Sequence, residues 1–277
     1  HGLFWPALLM DSKYKLPDSI HVHGFVTVNG EKMSKSKGTF ITADQFADAC
    51  DPELLRYYFA SKLNSKIEDL DLNLEDLAKK INSDLVGKFL NIFSRSAPFI
   101  AKNNNRLSED MHEEHFIKSK KNILKILQHY EEKEFSKATK LIMEIADNTN
   151  RFINERAPWK LDQAEALRVA TTAINVFKNL CILLSPVTPK LCHQMLLMLN
   201  INDLSIENLD KELIDVEINE FKPILERIKP LNIQDFYKKE EKMSEENNNI
   251  IQIDDFMKVD LRAVSYTHLR AHETFAN

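Results

Sequence analysis

A chain of 277 residues is about two domains' worth at roughly 150 residues per domain, long enough to bury a real core. Its 43% hydrophobic and 29% charged content is that of an ordinary globular protein, and 37 basic against 42 acidic residues (net −5) exclude a global basic charge, so any nucleic-acid contact must come from a local patch. No apolar run reaches the roughly 18 residues of a membrane span, and Cys50, Cys181 and Cys192 form no C-x-x-C pair, which excludes a disulfide scaffold or an obvious zinc site and fits a reducing, cytoplasmic setting.

The opening HGLFWPALLM lacks the basic region and small-residue cleavage site of a signal peptide and reads as the middle of a longer chain. Four of the five glycines (Gly2, Gly24, Gly30, Gly38) fall in the first 38 residues, so a turn-rich opening gives way to a body that bends only between helices. Residues 20–28 are rich in β-branched and apolar residues and end at Asn29-Gly30, a hairpin turn signal. Segment 31–38 is polar and lysine-rich. Thr42 can cap a short helix over 43–49, and Asp51-Pro52 opens another with a capping acid and a preset φ.

Asn73 starts a longer helix in which Leu77, Ile81, Leu85, Phe89 and Phe93 recur every four residues, one buried face. Further helices are expected over about 109–131, 136–156 and 162–185, and Thr188-Pro189 opens a shorter one. Their short connections predict an antiparallel bundle. The polar run 238–249 has the composition of a linker. Residues 251–262 alternate as a strand does, and 263–277 have no clear period and read as non-native sequence or a disordered tail.

The chemistry lies in Lys32-Met33-Ser34-Lys35-Ser36-Lys37-Gly38, three lysines and two hydroxyls in seven residues after a turn. Ammonium and hydroxyl donors on such a loop stabilise the charge that develops when pyrophosphate leaves. It is not a Walker A loop, since G-x-x-x-x-G-K-[ST] is absent. By charge pattern alone, a lysine cluster is equally a solvated surface.

The string KMSKS at 32–36 resembles the signature loop of class I aminoacyl-tRNA synthetases. Its surroundings (HGLFWPALL, HVHGFVTVNGEKMSKSKGTFI, DPELLRYYFASKL, DLDLNLEDL) resemble the bacterial-type methionyl-tRNA synthetase family. The resemblance runs from His1 to about residue 238 and resumes at 251–262. It implies a mainly α fold: the C-terminal remnant of a Rossmann-like α/β catalytic domain, then an all-α anticodon-binding bundle. The implied segments are 1–50 (catalytic, with the KMSKS loop), 51–72 (stem-contact connection), 73–235 (helical anticodon-binding domain), 236–250 (linker), 251–262 (start of a tRNA-binding OB-fold) and 263–277 (non-native tail).

The resemblance implies ATP-dependent activation of methionine to methionyl-adenylate and its transfer to tRNA(Met). ATP with Mg2+ is the substrate. His1 and Trp5 fall at methionine-contacting positions; a tryptophan at position 5 is otherwise a core residue. His23 and Gly24 fall near the adenosine. Lys35 is the phosphate-contacting catalytic lysine, with Lys32 and Lys37 supporting it and Ser34 and Ser36 shaping the loop. Asn91, Arg95 and Trp159 match the anticodon readers, two of them four apart on one helix face and the third after Ala157-Pro158. Without the family, an Asn–Arg pair on a helix is solvated polar surface. The family's HIGH element, the first half of its Rossmann domain and its zinc-bearing insertion are not in this chain, so zinc belongs to the parent alone. The resemblance allows a homodimer through the OB-fold and gives no membrane partner. A non-catalytic tRNA- or RNA-binding helical module is the alternative, and a helical interaction protein a third reading.

Overall fold

Asn29 and Gly30 both take positive φ, 50° and 82°, as a two-residue type I′ hairpin turn requires. They join β1 (Val26–Val28) to the antiparallel β2 (Glu31–Lys32), with Thr27 opposite Lys32. The structure, a computed structural model, describes residues 2–34 and 40–236. The strand expected over 20–28 is therefore only its last three residues; Ile20, Val22 and Phe25 lie exposed before it.

The expectation missed a strand. β3 (Leu70–Leu72) pairs parallel with β1, giving the order β2-β1-β3. Parallel neighbours need a crossover, which here carries α2 (Ala43–Ala49) and α3 (Pro52–Ala60). Thr42 caps α2 in a reciprocal capping box with Gln45, and Asp51 caps α3 through the Glu53 amide, both as the sequence predicts. Ahead of the sheet, α1 (Phe4–Asp11) buries none of its residues.

From Asn73, whose side chain accepts from the Asp76 amide, the chain runs through α4 (Leu74–Ile81), a π-helical stretch Asn82–Leu90 and α5 (Asn91–Ala101). The wide middle has a cause in the spacing. Four residues of α-helix overshoot a full turn by about 40°, so a strict four-residue stripe would leave the buried face after a few repeats. The wider π turn compensates, and Leu77, Ile81, Leu85, Phe89 and Phe93 are all 0% exposed.

The single helix expected over 109–131 is two, α6 (Glu113–Lys120) and α7 (Ile123–Glu131). The polar stretch 118–122 between them has no apolar side chain to hold a helical face on the core. α8 (Phe135–Arg156) ends at Ala157 in the left-handed region, a short 3-10 turn Pro158–Lys160 follows, and Asp162 caps α9 (Gln163–Leu184). α9 is long and apolar enough to cross a membrane, but it is the central core helix, with 94% of its most apolar window buried. Phe177 on α9 meets Phe89 at 4.9 Å and Phe93 at 5.5 Å. For α10 (Pro189–Met198) the Thr188 side chain makes no cap; Glu53 of α3 accepts from the Lys190 and Leu191 amides instead.

Beyond α10 most of 200–236 is extended chain laid over the bundle, not further helix. Side-chain amides hold it. Asn175 donates to the Leu213 carbonyl at 2.9 Å and accepts from its N–H at 2.7 Å. Asn82 does the same with Ile228, at 2.8 and 2.9 Å. The fully buried Lys178 donates to the carbonyls of Asn208 and Lys211, and burial pulls its pKa down to about 8. The strap ends with Phe236 stacked on Phe46 of α2, centroids 5.7 Å apart.

Candidate functional site

Two groups of predicted residues can be located. The first surrounds the hairpin. Asp71 of β3 accepts from Thr27 Oγ1 at 2.8 Å and from the Gly30 amide at 2.7 Å, and Asn29 Oδ1 accepts from the Leu74 amide at 3.2 Å. The turn before the lysine segment is thus tied to both β3 and the start of α4. Lys32 closes β2 with its ammonium 5.4 Å from the Phe25 ring centroid, a cation–π distance. Met33 packs on the core and Ser34 is half-buried. Lys35, Ser36 and Lys37 lie outside the described residues, as does His1.

Trp5 lies on α1 and is 58% exposed, so it is not the core residue its type alone suggests. His23 Nδ1–H donates to the Gly24 carbonyl at 2.7 Å. Gly24 itself has a local reason. Its amide donates to the Glu68 carbonyl at 2.9 Å, and a Cβ there would fall 2.3 Å from the Asp69 carboxylate. The chain can approach β3 this closely only without a side chain.

The second group is on the bundle. Asn91 and Arg95 begin α5, and both reach Asn150 on α8: Asn91 Nδ2 donates to Asn150 Oδ1 at 2.9 Å, and Arg95 Nη1 to the Asn150 carbonyl at 3.2 Å. Arg95 Nη2 donates to Asn154 Oδ1. Asn150 is only 8% exposed and spends its own Nδ2 on the carbonyls of Lys88 and Ala146, at 2.8 and 3.0 Å. The pair is therefore fixed by hydrogen bonds to one buried side chain. Partial burial lowers the Arg95 pKa from its ordinary value.

Trp159 sits on the 3-10 turn three residues past the end of α8 and is 56% exposed. Among the described residues no hydrogen bond joins it to Arg95; the two are related through α8, whose Asn154 holds the guanidinium. Sequence reasoning missed Asn150 and Asn154. The signal was present: two asparagines four apart on α8 face two polar residues four apart on α5.

Two concavities were also not expected. One, of about 520 Å³, is lined by His112, His115, Phe152, Arg156 and Arg168; His115 stacks on Phe152 at 4.1 Å, and burial pushes its pKa down to about 4. The other, of about 380 Å³, lies between α4 and α8 over Tyr57 and Asp84. Among the described residues no group of three His, Cys, Asp or Glu side chains could hold a metal ion.

Comparison with known proteins bears on both groups. Residues 1–97 match the family model "tRNA synthetases class I (M)", and residues 115–258 match "Anticodon-binding domain of tRNA ligase". The chain is 47% identical over 235 residues to the methionine–tRNA ligase of Psychrobacter arcticus, covering 82% of this chain and 34% of that protein. With the enzyme of the same name from Psychrobacter cryohalolentis it shares 45% over 240 residues, 84% of this chain and 34% of that one. It spans about a third of the length of these curated relatives. Among solved structures, Mycobacterium tuberculosis methionyl-tRNA synthetase in complex with methionyl-adenylate matches with a TM-score of 0.69 at 24% identity, over 81% of this chain and 47% of that one. The apo form of the same enzyme matches at 0.70 and 20% identity, over 83% and 48%. At these identities the structural likeness is one of fold.

Proposed function

We propose, from the premise that this chain belongs to the methionyl branch of the class I tRNA synthetases and carries their anticodon-binding domain, that it serves the charging of tRNA(Met) with methionine. In the first step the methionine carboxylate attacks the α-phosphorus of ATP and the bond to pyrophosphate breaks. In the second a hydroxyl of the terminal tRNA ribose attacks the adenylate carbonyl and AMP leaves. Lys35 would stabilise charge on the departing phosphates, with Lys32 and Lys37 beside it and Met33, Ser34 and Ser36 shaping the loop. His1 and Trp5 would contact methionine; His23 and Gly24 would lie toward adenosine. Magnesium would enter with ATP as part of the substrate. The zinc of the parent has no ligand set among the described residues, and no step is assigned to it. A parental dimer would form through the OB-fold begun at 251–262, outside the described residues, and the working compartment is the cytoplasm.

For the bundle, the reading is anticodon recognition. The observation that carries it is the fixing of Asn91 and Arg95 by one buried asparagine on α8, the helix that ends just before an exposed tryptophan. Amide and guanidinium edges with an open aromatic face are the groups that read unstacked bases of a single-stranded loop. The test is binding of a CAU-anticodon stem-loop and of one with a changed first anticodon base, at fixed salt. The CAU loop should bind more tightly, and Trp159→Ala should weaken it by about 1–3 kcal/mol, roughly fivefold to 150-fold. Equal affinity for the two loops removes the assignment.

A further inference from the structure

We infer that the cleft between the α4–π rod and the start of α8 binds a small molecule through a pyrophosphate group, in a site whose walls include neither Asn91 nor Arg95. The inference goes beyond the function proposed above and does not depend on it. The cleft has a volume of about 380 Å³, within the range of small-molecule sites. One wall carries Lys80 and Lys88 and the other Lys137 and Lys140, against the carboxylates of Asp84 and Glu144. In a chain of net charge −5, four lysines to two carboxylates around one space is a local reversal of sign.

The lysines are placed, not scattered. Asp84 is 5% exposed and accepts from the Tyr57 hydroxyl at 2.8 Å. Spacing of four along the rod sets a lysine on either side of it, with Lys80 2.9 Å and Lys88 3.8 Å from its oxygens. One buried carboxylate thus holds two ammonium groups at the cleft and cancels the charge of only one. On the facing wall Lys137 pairs with Glu134 at 3.2 Å, while Lys140 makes no ion pair among the described residues. Ser136 and Lys137 stand in the first turn of the 22-residue α8, where the helix dipole adds positive potential. The Ser136 hydroxyl, half-buried in the same wall, makes no hydrogen bond among the described residues.

This arrangement selects the chemistry of the ligand. A row of lysines along one surface suits an extended polyanion. Two pairs on facing walls converge on one space, and suit a compact one. A terminal phosphate presents three acceptor oxygens, and a lysine meets it as a point charge free of angular demands. Two linked phosphates then give each wall's pair a partner, with the Ser136 hydroxyl as a further donor. Free inorganic pyrophosphate and a nucleoside diphosphate both carry that group, and the experiment separates them.

The experiment is a calorimetric titration of the whole 277-residue chain with pyrophosphate and with ADP, at fixed ionic strength. One saturable site is expected. Lys140→Gln, which breaks no ion pair among the described residues, should weaken it about tenfold, and Lys80→Gln at least as much. Glu144→Gln, which removes the opposing carboxylate, should tighten it. Lys35→Gln should leave it unchanged. Tighter binding of ADP makes a nucleotide the source of the group, and tighter binding of pyrophosphate makes it the free anion; either supports the site. Binding lost in Lys35→Gln but unaltered in Lys140→Gln and Glu144→Gln overturns the cleft and leaves the lysine loop's assignment standing. Absence of saturable binding also overturns it. So does displacement of pyrophosphate by the CAU stem-loop at equal phosphate concentration, which would make the cleft a nucleic-acid contact.

Discussion

α1 and α9 are both rich in apolar residues, and their fates are opposite. α1 leaves Phe4 76% and Leu8 62% exposed and buries nothing, whereas α9 buries nearly its whole length. Apolar content does not decide burial; the presence of complementary faces does. α9 packs against α5, α6, α8 and α10, which bury apolar side chains in the same core, α6 through Phe116 alone. α1 meets no such stripe among the described residues. The sheet that follows buries Val28, Leu70 and Leu72 and adds polar ties, Asp71 to the hairpin and Gly24 to Glu68. The sheet and α2 and α3 thus share the packed core of the bundle, and α1 alone of the opening elements contributes nothing to it.

The largest expected effect lies at the centre of the bundle. Phe177→Ala removes a fully buried ring in contact with Phe89 and Phe93, and should cost about 3–5 kcal/mol of unfolding free energy in a denaturant titration. A loss under 1 kcal/mol would mean that the aromatic cluster is not the core. Asn175→Ala should cost less, about 1–3 kcal/mol, because it strands both backbone groups of Leu213. Hydrogen exchange should show the Leu213 amide losing protection ahead of α9; uniform loss would contradict a local clip. Trp5→Ala should be the smallest, within about 0.5 kcal/mol, as for an exposed site away from the core. A larger loss of stability in the same chain would show that α1 is packed after all, and would break the comparison.

Much of this was legible in the residues. Thr42, Asp51, Asn73 and Asp162 start their helices as capping chemistry requires, and the Asn29-Gly30 turn forms where its dipeptide says. Local signals are readable because the partner lies within a few residues. β3 was missed because Leu70–Leu72 becomes a strand only by pairing with β1, more than 40 residues earlier. The split of α6 from α7 was missed because the apolar positions on either side fit one period while the polar run between them has nothing to pack on. At the candidate site the Asn91–Arg95 pairing on one face follows from spacing. That Asn150 and Asn154 hold it does not, since their distance in sequence exceeds 50 residues.

The strap has a consequence for how the molecule is made. Asn82 closes on Ile228, 146 residues downstream, so the amide that seals the π stretch emerges from the ribosome long before its partner exists. At about 5–20 residues per second the wait is roughly 7–30 s. Once α9 is complete, 44 residues before Ile228, the α4–α5 rod can pack on α8 and α9 with the Asn82 amide and the adjoining apolar surface still wet. Completion of the bundle is thereby timed by translation of its last extended segment, and a ribosome stalled between the codons for Leu199 and Ile228 would carry a nearly assembled helical core with its seam open.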